Sequence, residues 1–113
     1  MNLSERTRDF ALRVIRLCGA LPSNRTTDVI VRQLVKPGTS PGAHFREALR
    51  ARSKSEYVAK LNGDLMELEE ALYWLEIVEG ANLMSSEKLE SLRTETNELI
   101  AIFVSLIKKW KRR

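Results

Sequence analysis

Apolar residues recur along much of the chain at alternating spacings of three and four, which is the period of an amphipathic helix. In the first segment Phe10, Val14 and Leu17 follow this spacing, and Pro22 lies just beyond it. Proline is common shortly after the end of a helix because it cannot continue one. The pattern therefore predicts a first helix over residues 3–21.

The second segment is unusual because two prolines and two glycines fall within residues 37–42, PGTSPG. A proline inside a helix removes a backbone hydrogen bond and its ring clashes with the preceding turn. Ser40 as an N-cap, with Pro41 at the first helical position, would restart a helix at once. We therefore predict one element over residues 26–52, with a sharp kink or short break near 37–41.

The third and fourth segments carry long heptad-like seams, which predict helices over residues 54–79 and 86–111. The seam of the third helix consists of Val58, Leu61, Leu65, Leu68, Leu72 and Leu75. That of the fourth consists of Leu92, Thr96, Leu99, Phe103, Leu106 and Trp110. No segment alternates as a strand would. Four helices with short connections predict an all-α fold, an up-and-down four-helix bundle, as a single domain over residues 1–113.

The third helix has a second apolar stripe, roughly 140° from its seam at 100° per residue. Further apolar residues flank the seam of the fourth helix. Such wide apolar coverage either serves two neighbours inside one bundle or is buried against another subunit, and we favour the second explanation. The candidate interface residues are Ala59, Met66, Tyr73, Ile77, Ile100 and Ile107.

Charge is segregated along the chain, although the net charge is only +4. Residues 1–60 carry +7, residues 61–107 carry −8, and the last six residues, KKWKRR, carry +5. Basic and acidic helices could lie side by side and neutralise each other, or part of the basic surface could meet phosphates. The candidate nucleic-acid contacts are Arg6, Arg13, Arg16, Lys108, Lys109, Lys111, Arg112 and Arg113.

Residues suited to catalysis or metal binding are scarce. The chain has one histidine, His44, and one cysteine, Cys18, so a zinc site would need mostly carboxylates, which is uncommon. No catalytic triad or phosphate-binding loop can be assembled from the sequence. We therefore expect no catalytic residues, no cofactor and no metal, and hence no enzyme activity. Without a long apolar run or a secretory signal, we expect a cytoplasmic protein with no membrane partner.

Between residues 38 and 80 a series of short motifs stands in a characteristic order. The motifs are Gly38-Thr39-Ser40, Gly42-Ala43, Arg46-Glu47-Ala48, Ser53-Lys54, Lys60-Leu61 and Tyr73-Trp74-Leu75-Glu76. With these motifs the chain resembles the small bacterial four-helix-bundle proteins related to those encoded in intervening sequences of 23S rRNA genes. Two residues depart from the family pattern: Pro41 replaces a usually apolar residue, often β-branched, and His44 a common asparagine.

The resemblance implies a four-helix bundle that assembles into a homopentamer, without known catalytic residues or a cofactor. It also implies a link to RNA, because some members are encoded within rRNA genes. A related bundle is the accessory subunit of diversity-generating retroelements, which is thought to bring nucleic acid to a reverse transcriptase.

Two hypotheses follow from the residues and the resemblance together. The first is a non-enzymatic homo-oligomeric bundle that binds RNA or a nucleoprotein partner through its basic surface. The alternative is a protein–protein adapter or assembly module, in which the segregated charge serves assembly alone. Salt dependence separates the two, because phosphate contacts weaken steeply as the salt concentration rises.

Overall fold

The structure is a computed structural model that describes residues 1–112, and over those residues it contains four α-helices and no β-strand. The predicted all-α, four-helix fold is therefore confirmed. The helices are α1 (Leu3–Ala20), α2 (Arg25–Ala48), α3 (Lys54–Gly80) and α4 (Ser86–Lys111). None of them, within this part of the chain, has an apolar stretch long enough to cross a membrane.

Each helix begins at a polar residue whose side chain caps the first turn. Asn2 caps α1 in a reciprocal capping box with Glu5, and Asn24, Ser53 and Ser85 cap the other three helices. These side-chain oxygens accept hydrogen bonds from amides that have no partner within the helix. The start of each helix is thus determined locally by the sequence.

The helix α2 passes through both prolines without interruption, so the alternative of a short break near 37–41 is wrong. Pro37 and Pro41 lie four residues apart on the buried face, where their rings pack in the bundle. In the same turns the hydroxyls of Thr39 and Ser40 donate to backbone carbonyls of Val35 and Lys36. Burial of the rings offsets the hydrogen bonds that proline cannot make, whereas local propensity alone would end the helix.

The end of α2 also differs from the predicted boundary at residue 52. The helix ends at Ala48, and the amides of Arg50 and Ala51 bond to carbonyls three residues back, which closes a turn. Ser53 then caps α3, so the residues between belong to the link. A sharp kink within α2 stays a prediction.

Helices α1 and α4 run in opposite directions. As the residue number rises along α1, that of the contacting residue of α4 falls: Arg6 contacts Glu95 and Glu98, whereas Arg13 contacts Ser91. Each helix packs against the next in the chain, and α1 also meets α4. The molecule is therefore elongated, with extents of 47 × 22 × 21 Å.

The core stripe of α3 is rotated from the predicted seam. Leu61, Leu68 and Leu75 are fully buried as expected, but Leu65 and Leu72 are only half-buried. The stripe extends instead to Asp64, Ala71 and Val78, all of them buried. The sequence pattern missed this face because a carboxylate and an alanine contribute little to an apolar periodicity.

Helices α1 and α2 approach closely where α2 carries glycine. A Cβ atom placed on Gly38 would lie 2.6 Å from Cγ1 of Val14, and one on Gly42 would lie 3.4 Å from Oγ1 of Thr7. The absence of a side chain at Gly38 thus allows Val14 to pack directly against the α2 backbone. The contacts at Gly38 and Gly42 thus place α1 close to the backbone of α2.

We expect opposite results from the same substitution at two helical glycines. Gly38→Ala should lower the free energy of unfolding by about 1–3 kcal/mol, because the added methyl group overpacks the contact with Val14. Gly63→Ala should raise it by about 0.5–1 kcal/mol, because no atom lies within 4 Å of the new methyl group and alanine favours the helix. Urea denaturation measures both; equal effects of the same sign would contradict the close approach.

Candidate nucleic-acid interface

The predicted arginines of α1 are not equally available to a ligand. Arg6 forms a fork with α4: Nη2 lies 2.8 Å from Oε1 of both Glu95 and Glu98, and Nε donates to the second oxygen of Glu95. These hydrogen bonds raise the pKa of the Arg6 guanidinium further above its ordinary value. Arg13 donates to Ser91, whereas Arg16 is exposed to solvent. The α1–α4 contact therefore occupies Arg6 and Arg13 and leaves Arg16 free.

The basic tail lies at the C-terminal end of α4. Lys108, Lys109 and Lys111 are exposed in its last turn and Arg112 follows as the C-cap, a placement that complements the helix dipole. The predicted contact Arg113 lies outside the described residues. The half-buried Trp110 packs edge-on against Tyr57 of α3, with ring centroids 5.5 Å apart, so the tryptophan closes this end of the bundle.

Further exposed cations lie on α2 and just beyond its end, and they were not among the predicted contacts. Within residues 1–112 no ion pair or hydrogen bond engages the side chains of this set, which consists of Arg25, Arg32, Lys36, Arg46 and Arg50. The signal was present in the sequence, because residues 29–46 contain no Asp or Glu. Helix α2 carries four cations and only two carboxylates, Asp28 and Glu47, so its own carboxylates cannot neutralise all of its positive charge.

One of these cations lines a groove between α1 and α2 together with a second arginine. The groove has a volume of about 330 Å³, and its lining includes Arg8 of α1 and Arg46 of α2. The remaining lining residues, called the floor below, are Ala11, Thr39, Gly42 and Ala43. Both arginines are exposed, and in the described chain neither has an ion pair.

The predicted interface residues separate into three groups by exposure. Met66 and Tyr73 are 72% and 53% exposed, and Ala59 is also exposed, so these three form an open apolar stripe on α3. Ile77 and Ile100 are half-buried. Ile107 is buried inside the bundle at the position where the α4 core stripe follows Phe103, so it belongs to the core and not to the open stripe.

A buried carboxylate, which the sequence analysis missed, lies between α2 and α3. Asp64 is fully buried and neither of its oxygens has a hydrogen-bond partner in the described residues. Nδ1 of the half-exposed His44 lies 3.8 Å from Oδ1, which is too far for a hydrogen bond. Burial, with a smaller contribution from the carboxylates of Glu47 and Glu67, raises the pKa of Asp64 to about 8, and Lys60 acts against them.

Other side chains that could act as nucleophiles, acids, bases or metal ligands are dispersed. Burial raises the pKa of the half-buried Cys18 thiol, which makes it a poor nucleophile. Glu47, beside the groove arginine Arg46, is paired with Lys60 at 2.9 Å, and that pairing lowers its pKa. Over residues 1–112 no three His, Cys, Asp or Glu side chains converge as metal ligands would.

Comparisons with known proteins agree with the architecture. The sequence model of a family described as 23S rRNA-intervening sequence protein matches residues 1–105. Among solved structures, the chain is similar to a protein of unknown function from the S23 ribosomal protein family of Bacteroides thetaiotaomicron VPI-5482. The two share 32% identity with a TM-score of 0.89 over 95% of this chain and 99% of that one. No curated protein matches the chain.

The buried Asp64 should make the stability depend on pH. Its pKa is about 8 in the folded protein against 3.8 ordinarily, so the folded state binds the proton more tightly. Stability from this group is fully present below about pH 4 and is lost as the pH rises toward 8. We expect the melting temperature to fall between pH 5 and pH 8, and Asp64→Asn to reduce this fall and raise the melting temperature at pH 8.

Thermal denaturation followed by circular dichroism at several pH values provides the measurement. Glu76→Gln, an exposed substitution on the same helix, is the matched control and should keep the wild-type profile. Identical profiles for Asp64→Asn and the wild type would show that the carboxylate ionises without cost in the folded protein.

Proposed function

The chain belongs to the family of 23S rRNA-intervening sequence proteins, and from its exposed charge we propose that it is a non-enzymatic, homo-oligomeric bundle that binds RNA in the cytoplasm. The observation that carries the proposal is the set of cations left without carboxylate partners. They lie on α2, just beyond its end and at the end of α4, whereas Arg6 is matched by acidic α4. Mutual neutralisation of the helices therefore accounts for only part of the positive charge.

Phosphate is the chemistry that fits this surface. Contacts from Lys and Arg to phosphate oxygens supply most of the affinity of non-specific nucleic-acid binding and carry no direct sequence information. The half-buried Trp110 contributes to the bundle, so we assign no base stacking to it. We therefore expect RNA binding that depends on the backbone and has little sequence selectivity.

Self-association is supported by the open apolar stripe of α3. In a monomer the apolar side chain of Met66 is 72% exposed to water, which is unfavourable. Burial against a second copy would remove this apolar surface from water. The family resemblance suggests a homopentamer. An oligomer repeats the basic surface in each subunit, so avidity rises without a new type of contact.

The same stripe favours the alternative of a protein–protein adapter, since an apolar surface can receive a different chain as well as a copy. In that case the exposed cations would maintain solubility and would have no ligand. The two hypotheses differ in their response to RNA and to salt.

RNA binding should depend on the charges of the tail. We expect the full chain to bind a labelled single-stranded RNA at low salt, with log affinity declining by about 0.7 per phosphate contact for each unit of log salt. Replacing Lys108, Lys109, Lys111, Arg112 and Arg113 by glutamine should weaken binding and flatten this slope. The variant retains Trp110, so its contact with Tyr57 is preserved.

Fluorescence anisotropy at several salt concentrations measures both quantities. Lys88→Gln, an exposed cation at the opposite end of α4, is the control and should bind like the wild type. Absence of binding by the full chain even at low salt would refute the RNA proposal and leave the adapter.

Assembly should depend on the α3 stripe. Light scattering should report a mass several times 12.9 kDa for the wild type. Met66→Glu should lower that mass because it places a charge in the apolar contact, whereas Val29→Glu, at an exposed apolar position on α2, should not. A wild-type monomer at high micromolar concentration would refute self-association.

A further inference from the structure

The groove between α1 and α2 combines two guanidinium groups with a floor that has no charge. Arg8 and Arg46 come from different helices, and each helix contributes one of the two arginines that line the groove. Building on the RNA-binding function proposed above, we propose that this groove is a phosphodiester-binding site in which Arg8 and Arg46 hold the RNA backbone. The groove would be a defined contact with RNA within a basic surface that is otherwise spread over the molecule.

The backbone beneath the two arginines is held in place by close packing. Thr7, the residue before Arg8, lies against Gly42 in the floor of the groove, where a Cβ would come within 3.4 Å of its hydroxyl oxygen. One turn earlier in α2, Gly38 packs against Val14. Because the helices cannot separate or slide here without losing these contacts, binding would order only the two side chains.

The carboxylates close in sequence to the two arginines leave them available. Glu47, next to Arg46, is already paired with Lys60. Glu5, one turn before Arg8, accepts a hydrogen bond from the Asn2 amide in the capping box of α1. Asp9 follows Arg8 directly, and about 100° of helix rotation directs its side chain to a different face.

The floor of the groove indicates what kind of ligand it would accept. The Thr39 hydroxyl donates to backbone carbonyls of its own helix, so it offers no donor to a ligand, and alanine and glycine offer no side-chain donor. Recognition would therefore rest on the guanidinium groups, whose fork of N–H donors matches two oxygens of one phosphate. A site of this kind binds the backbone and ignores the bases.

The test is a comparison of two double variants that remove the same charge. Fluorescence anisotropy with a labelled 12-nucleotide oligouridylate would measure affinity for the full chain, for R8Q/R46Q and for R25Q/R32Q, whose exposed arginines lie near the start of α2 outside the groove. We expect R8Q/R46Q to weaken binding about tenfold at low salt and to reduce the salt slope by about 1.4, as for two lost phosphate contacts. R25Q/R32Q should have a clearly smaller effect.

A third variant, R8K/R46K, separates the fork from the charge alone. It keeps both charges and should still bind more weakly than the wild type, because lysine cannot contact two phosphate oxygens with a planar fork. Circular dichroism confirms that each variant is folded before its affinity is compared.

Two results would overturn the groove and leave the RNA-binding function intact: wild-type affinity in R8Q/R46Q, or an equal loss in R25Q/R32Q. In either case the wild type still binds RNA and the basic surface acts as a whole. Absence of binding by the wild type at low salt would instead overturn both proposals.

Discussion

The close approach of α1 and α2 is the constraint on which much of the rest of the structure depends. Gly38 allows Val14 to pack against the α2 backbone, and Gly42 lies close to Thr7 one turn later. Pro37 and Pro41 directly precede these glycines and remain helical because the packed bundle surrounds them. A segment that would end a helix on its own is thus held in helical form by packing, and it also contributes to the floor of the basic groove.

The position of α1 also determines how the charge of the chain is distributed. With α2 on one side, α1 meets α4 on the other, and Arg6 then forms its fork with Glu95 and Glu98. This contact uses positive charge from the basic half of the sequence to neutralise negative charge of the acidic half. The cations of α2 have no such partner, because α2 packs between α1 and α3 and its polar side faces solvent. Neutralisation between helices therefore describes the contact of α1 with α4, whereas the cations that could meet phosphates lie on α2.

Local features were predictable from the sequence and long-range ones were not. Apolar spacing predicted the four helices, because it depends on residues that are near each other in the sequence. The alternative of a break at Pro37–Pro41 was wrong, and Leu65 and Leu72 of the predicted seam are only half-buried, because burial in the assembled bundle decides both. The candidate site shows the same division. The tail was evident as a run of like charge, but the pairing of Arg6 and the groove between Arg8 and Arg46 require the helices to be placed.

Asp64 shows why an apolar periodicity can indicate the wrong face of a helix when a carboxylate lies in the core. A buried carboxylate without a hydrogen-bond partner is costly in its ionised form, so the folded protein favours the protonated form, and the raised pKa expresses that preference. The neutral acid is a small polar side chain that a helix interface can hold. Of the charges that act on Asp64, the cation of Lys60 is itself engaged by Glu47 and cannot turn fully toward it. Packing at the α2–α3 interface is thus coupled to the protonation of Asp64, whereas the α1–α2 contact that supports the groove rests on the close fit of Val14 against Gly38.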